Sequence, residues 1–126
     1  MQVEGIALLK GHTLTAVERV GDEAIIFTLN DGRRYQLHHW QSCCETVEID
    51  DIIGDLTDLI GSPILTAEEV SGELEPPKDE AYSPESYTWT FYKLATIKGN
   101  VTIRWYGTSN GYYSESVDFG EVGNDN

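Results

Sequence analysis

The stretch from Ser86 to Tyr106, "SYTWTFYKLATIKGNVTIRWY", constrains the fold more than any other part of the chain. Aromatic and aliphatic side chains alternate there with hydroxyls and charges, which is the period of two that a pleated strand imposes. Tyr87, Trp89 and Phe91 share one face, and Thr88, Thr90 and Tyr92 share the other. Lys98-Gly99-Asn100 turns the chain, and the returning strand points Val101, Ile103 and Trp105 to a core and Thr102, Arg104 and Tyr106 away from it. Two long alternating runs joined by a short turn predict an antiparallel hairpin.

The same reasoning organises the beginning of the chain. Residues 13–20 and 24–29 read as strands joined across Gly21-Asp22-Glu23. Asn30-Asp31-Gly32 then tolerates the backbone angles of a tight turn and leads into "RRYQLHHW". On that third strand Arg33, Tyr35 and Leu37 face one way and Arg34, Gln36 and His38 the other. Between the two β-regions the pattern changes. Ile49, Ile52, Ile53, Leu56, Leu59 and Ile60 recur at three-and-four spacing, which predicts an amphipathic helix over about residues 50–60. Asp50 and Asp51 suit its positive end, while Gly61 and Pro63 stop it. Gly54 inside a helix costs about 1 kcal/mol relative to alanine, so close packing is expected at that position. Residues 63–70 return as a strand. Residues 71–84, with three prolines and four acids, form a flexible loop. Residues 112–119 make a last strand that completes a second three-stranded meander, and a polar tail, 120–126, is frayed. The expected architecture is α+β: two antiparallel β-meanders packed with one main helix, as a single domain over residues 1–126.

Charge narrows the partners. The chain has 22 acidic and 8 basic residues and a formal net charge of −14, a surface that repels duplex nucleic acid and anionic lipid. It has no run of 18 apolar residues, and the apolar run at the N-terminus is too short for a secretory signal, so a cytoplasmic protein with no membrane partner is expected. Cys43 and Cys44 are adjacent, and neighbouring cysteines rarely bond to each other, which predicts reduced thiols. No phosphate-binding loop, nucleophile elbow, zinc-protease motif or dinucleotide fingerprint occurs. No enzymatic activity, cofactor or metal is expected.

Three stretches carry candidate chemistry. "HHWQSCCE" offers His38, His39, Cys43, Cys44 and Glu45 as metal ligands or a thiol nucleophile, but its spacing fits no common zinc pattern, and buried thiols at a corner explain it as well. In "TIRWYGTSNGYYSESV", Arg104 offers a planar fork of donors for phosphate or carboxylate beside Tyr106. Asn110 follows in the turn, Gly107 and Gly111 allow a backbone to approach a ligand, and Tyr112 and Tyr113 add rings. The ordinary alternative is a cross-strand ion pair between Arg104 and Glu115. Arg33-Arg34 is either a solvated hairpin end or a second phosphate contact.

The combination of "CCETVEIDDIIGDLTDLIG", "ESYTWTFYKLATIKG" and "TIRWYGTSNGYYSESV" resembles a group of small phage-encoded proteins that includes the first family of anti-Thoeris sponges, over about residues 13–119. The resemblance implies a host-cell anti-defence protein that sequesters a cyclic ADP-ribose-type immune signal without hydrolysing it. It also implies an oligomer built on dimers, with ligand held between subunits, and in some members a separate site for cyclic oligonucleotides. Positions transferred by motif are Arg104, Asn110 and one of Arg33 and Arg34. With the rings, the candidate ligand-binding residues are Arg33, Arg34, Phe91, Arg104, Tyr106, Asn110, Tyr112 and Tyr113. Surface acids such as Glu73 and Glu75 are expected not to matter. The competing reading is an acidic mimic of DNA that inhibits a host nuclease or CRISPR effector.

Overall fold

The computed structural model describes residues 5–78 and 84–122. Eight strands form two antiparallel sheets: β1 (Leu14–Val20), β2 (Ala24–Leu29), β3 (Arg34–His38) and β8 (Asp118–Glu121) in the first, and β4 (Thr46–Ile53), β7 (Gly99–Ser109), β6 (Ser86–Thr96) and β5 (Thr66–Gly72) in the second, in those spatial orders. The expected opening meander is present, with Phe27 opposite Tyr35 and Val17 opposite Phe27. The expected hairpin is also present and has Phe91 opposite Arg104. Its inward residues Val101, Ile103 and Trp105 are fully buried. They meet Ile25, Phe27 and Leu37 of the first sheet in one shared core. Burying such side chains is worth roughly 1.5–3 kcal/mol each, which is why alternation decides the facing of β6 and β7.

The α+β expectation is overturned. Among the described residues strand accounts for 55% and helical structure for 8%, with no helix of seven or more residues. The segment expected as a helix over 50–60 is β4, a glycine bend at Gly54 and a 3₁₀ turn, Leu56–Leu59. A β-bulge produced the misleading spacing. Ile49 pairs with Trp105 and Asp51 with Arg104, so Asp50 is an extra residue on the β4 side. Val47 and Ile49 point inward at period two; the inserted residue then moves the next inward position from 51 to Ile52. Leu56 and Leu59 reach the same core from the 3₁₀ turn, which Asp55 caps by accepting from the Thr57 N–H at 3.0 Å. Period two interrupted by a bulge and continued by a tight turn reads locally as three-and-four spacing.

The C-terminal strand is also corrected. Residues 110–117 run as irregular chain, and β8 begins only at Asp118. It crosses to the first sheet, where Phe119 pairs with Leu37 and stacks on Tyr35 with ring centroids 5.4 Å apart. Gly120 and Glu121, expected in a frayed tail, belong to this strand, and the Val122 N–H donates to the Arg34 carbonyl at 2.9 Å; residues 123–126 lie outside the described residues. Of the loop expected to be flexible over 71–84, residues 73–78 are pinned to the second sheet, and 79–83 lie outside the described residues. Among the described residues no helix is long and apolar enough to cross a membrane.

Candidate functional site

The outward face of the second sheet gathers an arginine, three rings and two acids. Trp89 and Phe91 of β6 stand beside Arg104 and Tyr106 of β7, because antiparallel register puts Phe91 opposite Arg104 and Trp89 opposite Tyr106. The Arg104 guanidinium lies 4.9 Å from the Trp89 ring centre and 5.2 Å from that of Phe91, a double cation–π contact. Its Nη2 donates to Glu75 Oε1 at 2.9 Å. Asp50, turned outward by the bulge, comes only to 3.9 Å of Nε, so Nε is buried without an acceptor among the described residues. Tyr106 packs against Trp89 with ring centres 4.5 Å apart.

Residues 73–78 strap across this face. The Trp89 indole N–H donates to the carbonyls of Glu75 and Pro76, and the Lys78 N–H donates to the Tyr106 hydroxyl at 3.1 Å. The Lys78 ammonium pairs with Asp50 at 2.8 Å, and that hydrogen bond raises its pKa above the usual lysine value. Asp50, Lys78 and Tyr106 also line an adjoining cleft of about 260 Å3. Of the sequence candidates, Phe91, Arg104 and Tyr106 therefore come together.

The others do not join them. Arg33 sits in the turn between β2 and β3, where its Nε donates to Asp31 at 2.8 Å, and Arg34 lies exposed on β3 of the other sheet. Asn110 accepts from the Tyr112 N–H at 2.9 Å, closing its own turn. Five residues of strand, about 17 Å, separate Ser109 from Arg104, so Asn110, Tyr112 and Tyr113 belong to another end of the molecule. The alternative pairing of Arg104 with Glu115 is also absent: Glu115 is held by the Thr88 hydroxyl, at 2.7 Å, and the Ser109 hydroxyl. Asp50, Glu75, Lys78 and Trp89 were missed as site residues. Trp89 could have been found from its shared face with Phe91, whereas Glu75 was set aside as a surface acid.

The sequence model of the family described as Domain of unknown function (DUF7448) matches residues 7–119. The chain belongs to this family. No curated protein and no solved structure matches it. The matched span of this DUF7448 chain runs from the first 3₁₀ segment (Gly5–Leu9) into β8 and contains every residue of the Arg104 face.

The DUF7448 chain contains a second ordered polar cluster. The carboxylate of Glu45, 2% exposed, accepts from the Ser42 N–H at 2.8 Å, the Cys43 N–H at 3.0 Å and His39 Nε2 at 2.7 Å. His39 Nδ1 lies 2.7 Å from the Ser116 carbonyl, so the ring ties the 40–45 corner to the irregular segment before β8. Cys43 and Cys44 are bonded to each other, in place of the free thiols expected. Among the described residues no group of three or more His, Cys, Asp or Glu could hold a metal.

The Ser42 N–H above all, with His39 and the Cys43 N–H, holds the Glu45 carboxyl down to about 2 from its ordinary 4.5. A carboxyl lowered on folding stabilises the native state above its unfolded value and ceases to do so as pH falls toward the folded one. Thermal unfolding followed from about pH 4.5 to about 2 should therefore show the parent losing stability more steeply than Glu45→Gln. Equal slopes would show that Glu45 is not clamped.

Proposed function

We propose that the protein binds a small anionic, ring-bearing ligand of the cyclic ADP-ribose type on the outward face of its second sheet. It holds that ligand without converting it, as a phage anti-defence sponge in the host cytoplasm. The observation that carries the proposal is the Arg104 guanidinium, held within 4.9 Å of the Trp89 ring centre and 5.2 Å of that of Phe91, with a buried Nε that lacks an acceptor among the described residues. An unsatisfied buried donor is costly, and a phosphate oxygen would satisfy it. Phosphate would exchange for the Glu75 carboxylate on Nη2, Lys78 would add a second cation, and Phe91 or Tyr106 would offer a face to a base. Each cation here is already matched by an acid, Arg104 by Glu75 and Lys78 by Asp50, so the ligand binds by displacing a carboxylate, and Glu75 holds the fork until it arrives.

Calorimetric titration with cyclic ADP-ribose isomers tests this. Arg104→Ala should weaken binding by about ten- to a hundredfold, the equivalent of roughly 1.5–3 kcal/mol for a hydrogen bond to a charged group. Arg104→Lys should restore only part of it, because ammonium keeps the charge and loses the fork. Glu75→Gln should tighten binding by removing the competing carboxylate, contrary to the expectation that this acid is neutral. Parent-like affinity in a folded Arg104→Ala protein, or a chemically altered ligand recovered after incubation, would defeat the proposal. An oligomer built on dimers belongs to the same reading, and sedimentation showing only a 14.1 kDa species would remove that part.

A further inference from the structure

The inward face of β5 and β6 opens, beyond the core, into a cleft of about 280 Å3 that the Arg104 site does not use. Segment 113–117 forms its other wall. Seven of its ten lining side chains carry hydroxyls, two are the carboxylates Glu69 and Glu115, and none is basic. We propose that this cleft binds a neutral, polyhydroxylated ligand of about one sugar ring.

Three observations carry this. The volume lies near the lower end of the roughly 300–1,000 Å3 typical of small-molecule pockets, which suits one ring and not a dinucleotide. Two acids with no lysine, arginine or histidine among the lining residues repel phosphate and carboxylate ligands. Glu115, only 8% exposed, is held rigidly by Thr88 and Ser109, one hydroxyl on each oxygen, which leaves each oxygen able to accept once more. Its position depends on Gly107: a Cβ there would come within 2.9 Å of the Glu115 carbonyl and 3.0 Å of its Cβ. Gly107, expected to admit a ligand, thus admits the cleft wall instead.

The hydroxyl chemistry separates a sugar from a cation. Each Ser, Thr or Tyr hydroxyl both donates and accepts, as sugar hydroxyls do, whereas an ammonium ligand has nothing to accept from those not already engaged within the wall. Tyr113 at the rim supplies a ring face for the apolar side of a pyranose or furanose.

Saturation-transfer NMR with a panel of free hexoses, pentoses and N-acetylhexosamines, with spermidine run alongside and inorganic phosphate added as a competitor, tests the proposal. At least one sugar should bind saturably at millimolar concentration, and phosphate should not displace it. Ser71→Leu, on an exposed rim position, should abolish sugar binding without disturbing the core. Glu115→Gln, if folded, should weaken it by about tenfold or more, the loss expected for a hydrogen bond to a charged group. Absence of saturable binding across the panel, sugar binding unaltered in folded Ser71→Leu, or binding of spermidine alone would each overturn it.

Discussion

Gly54→Ala should lower the stability of the fold by roughly 2–6 kcal/mol, the sum of about 1–3 for backbone strain and about 1–3 for steric overlap. Gly54 ends β4 with φ +108°, a region that side chains rarely occupy. A Cβ there would overlap the Asn100 carbonyl oxygen and lie 3.2 Å from Val101 Cα. Both neighbours are backbone of β7, which is paired on both sides, by β4 and β6, and so cannot yield. Against a typical total of about 5–15 kcal/mol, such a loss moves the urea midpoint far toward zero, with little change in slope. A Gly54→Ala midpoint equal to the parent's would mean that β4 does not end against β7 in this way. Close packing was expected at this glycine from the sequence; the strand that does the packing was not.

Trp105→Ala should cost about 3–5 kcal/mol, the range for deleting a large buried ring. Trp105 is 0% exposed and occupies the middle of β7, with Ile49 and Thr90 beside it on the flanking strands. Both sheets contribute to the core it fills, so the cavity cannot close by moving one side chain. Its indole N–H is buried without an acceptor among the described residues. Trp105→Phe therefore keeps a ring and discards an unpaired donor, and it should cost well under half as much. Equal losses for the two substitutions in urea unfolding would show that the N–H makes a bond that this structure lacks.

The helix expectation failed at one residue. Thr46, Val47, Ile49, Ile52 and Ile53 are β-branched and suit a pleated strand, yet the spacing of the isoleucines suggested a turn of 3.6 residues. Only the pairing of Ile49 with Trp105 and Asp51 with Arg104 reveals Asp50 as the inserted residue. The bulge also turns the Asp50 carboxylate toward Lys78 and Arg104, so one local irregularity hid both a strand and part of the site.

Alternation in the amino-acid sequence was enough to determine β1, β2, β3, β6 and β7, the inward set Val101, Ile103 and Trp105, and the shared outward face of Phe91 and Arg104's neighbours. Side-chain facing has a period of two within a strand, so it depends on nothing outside the strand. Tertiary structure alone decided that β8 leaves the hairpin to pair with β3, that residues 73–78 carry Glu75 onto Arg104, and that Arg33, Arg34, Asn110, Tyr112 and Tyr113 lie apart from it. Those outcomes depend on which distant backbone and carboxylate groups find partners when the two sheets close on one core. The contacts join residues such as Glu75 and Arg104, or Leu37 and Phe119, whose local patterns carry no trace of each other.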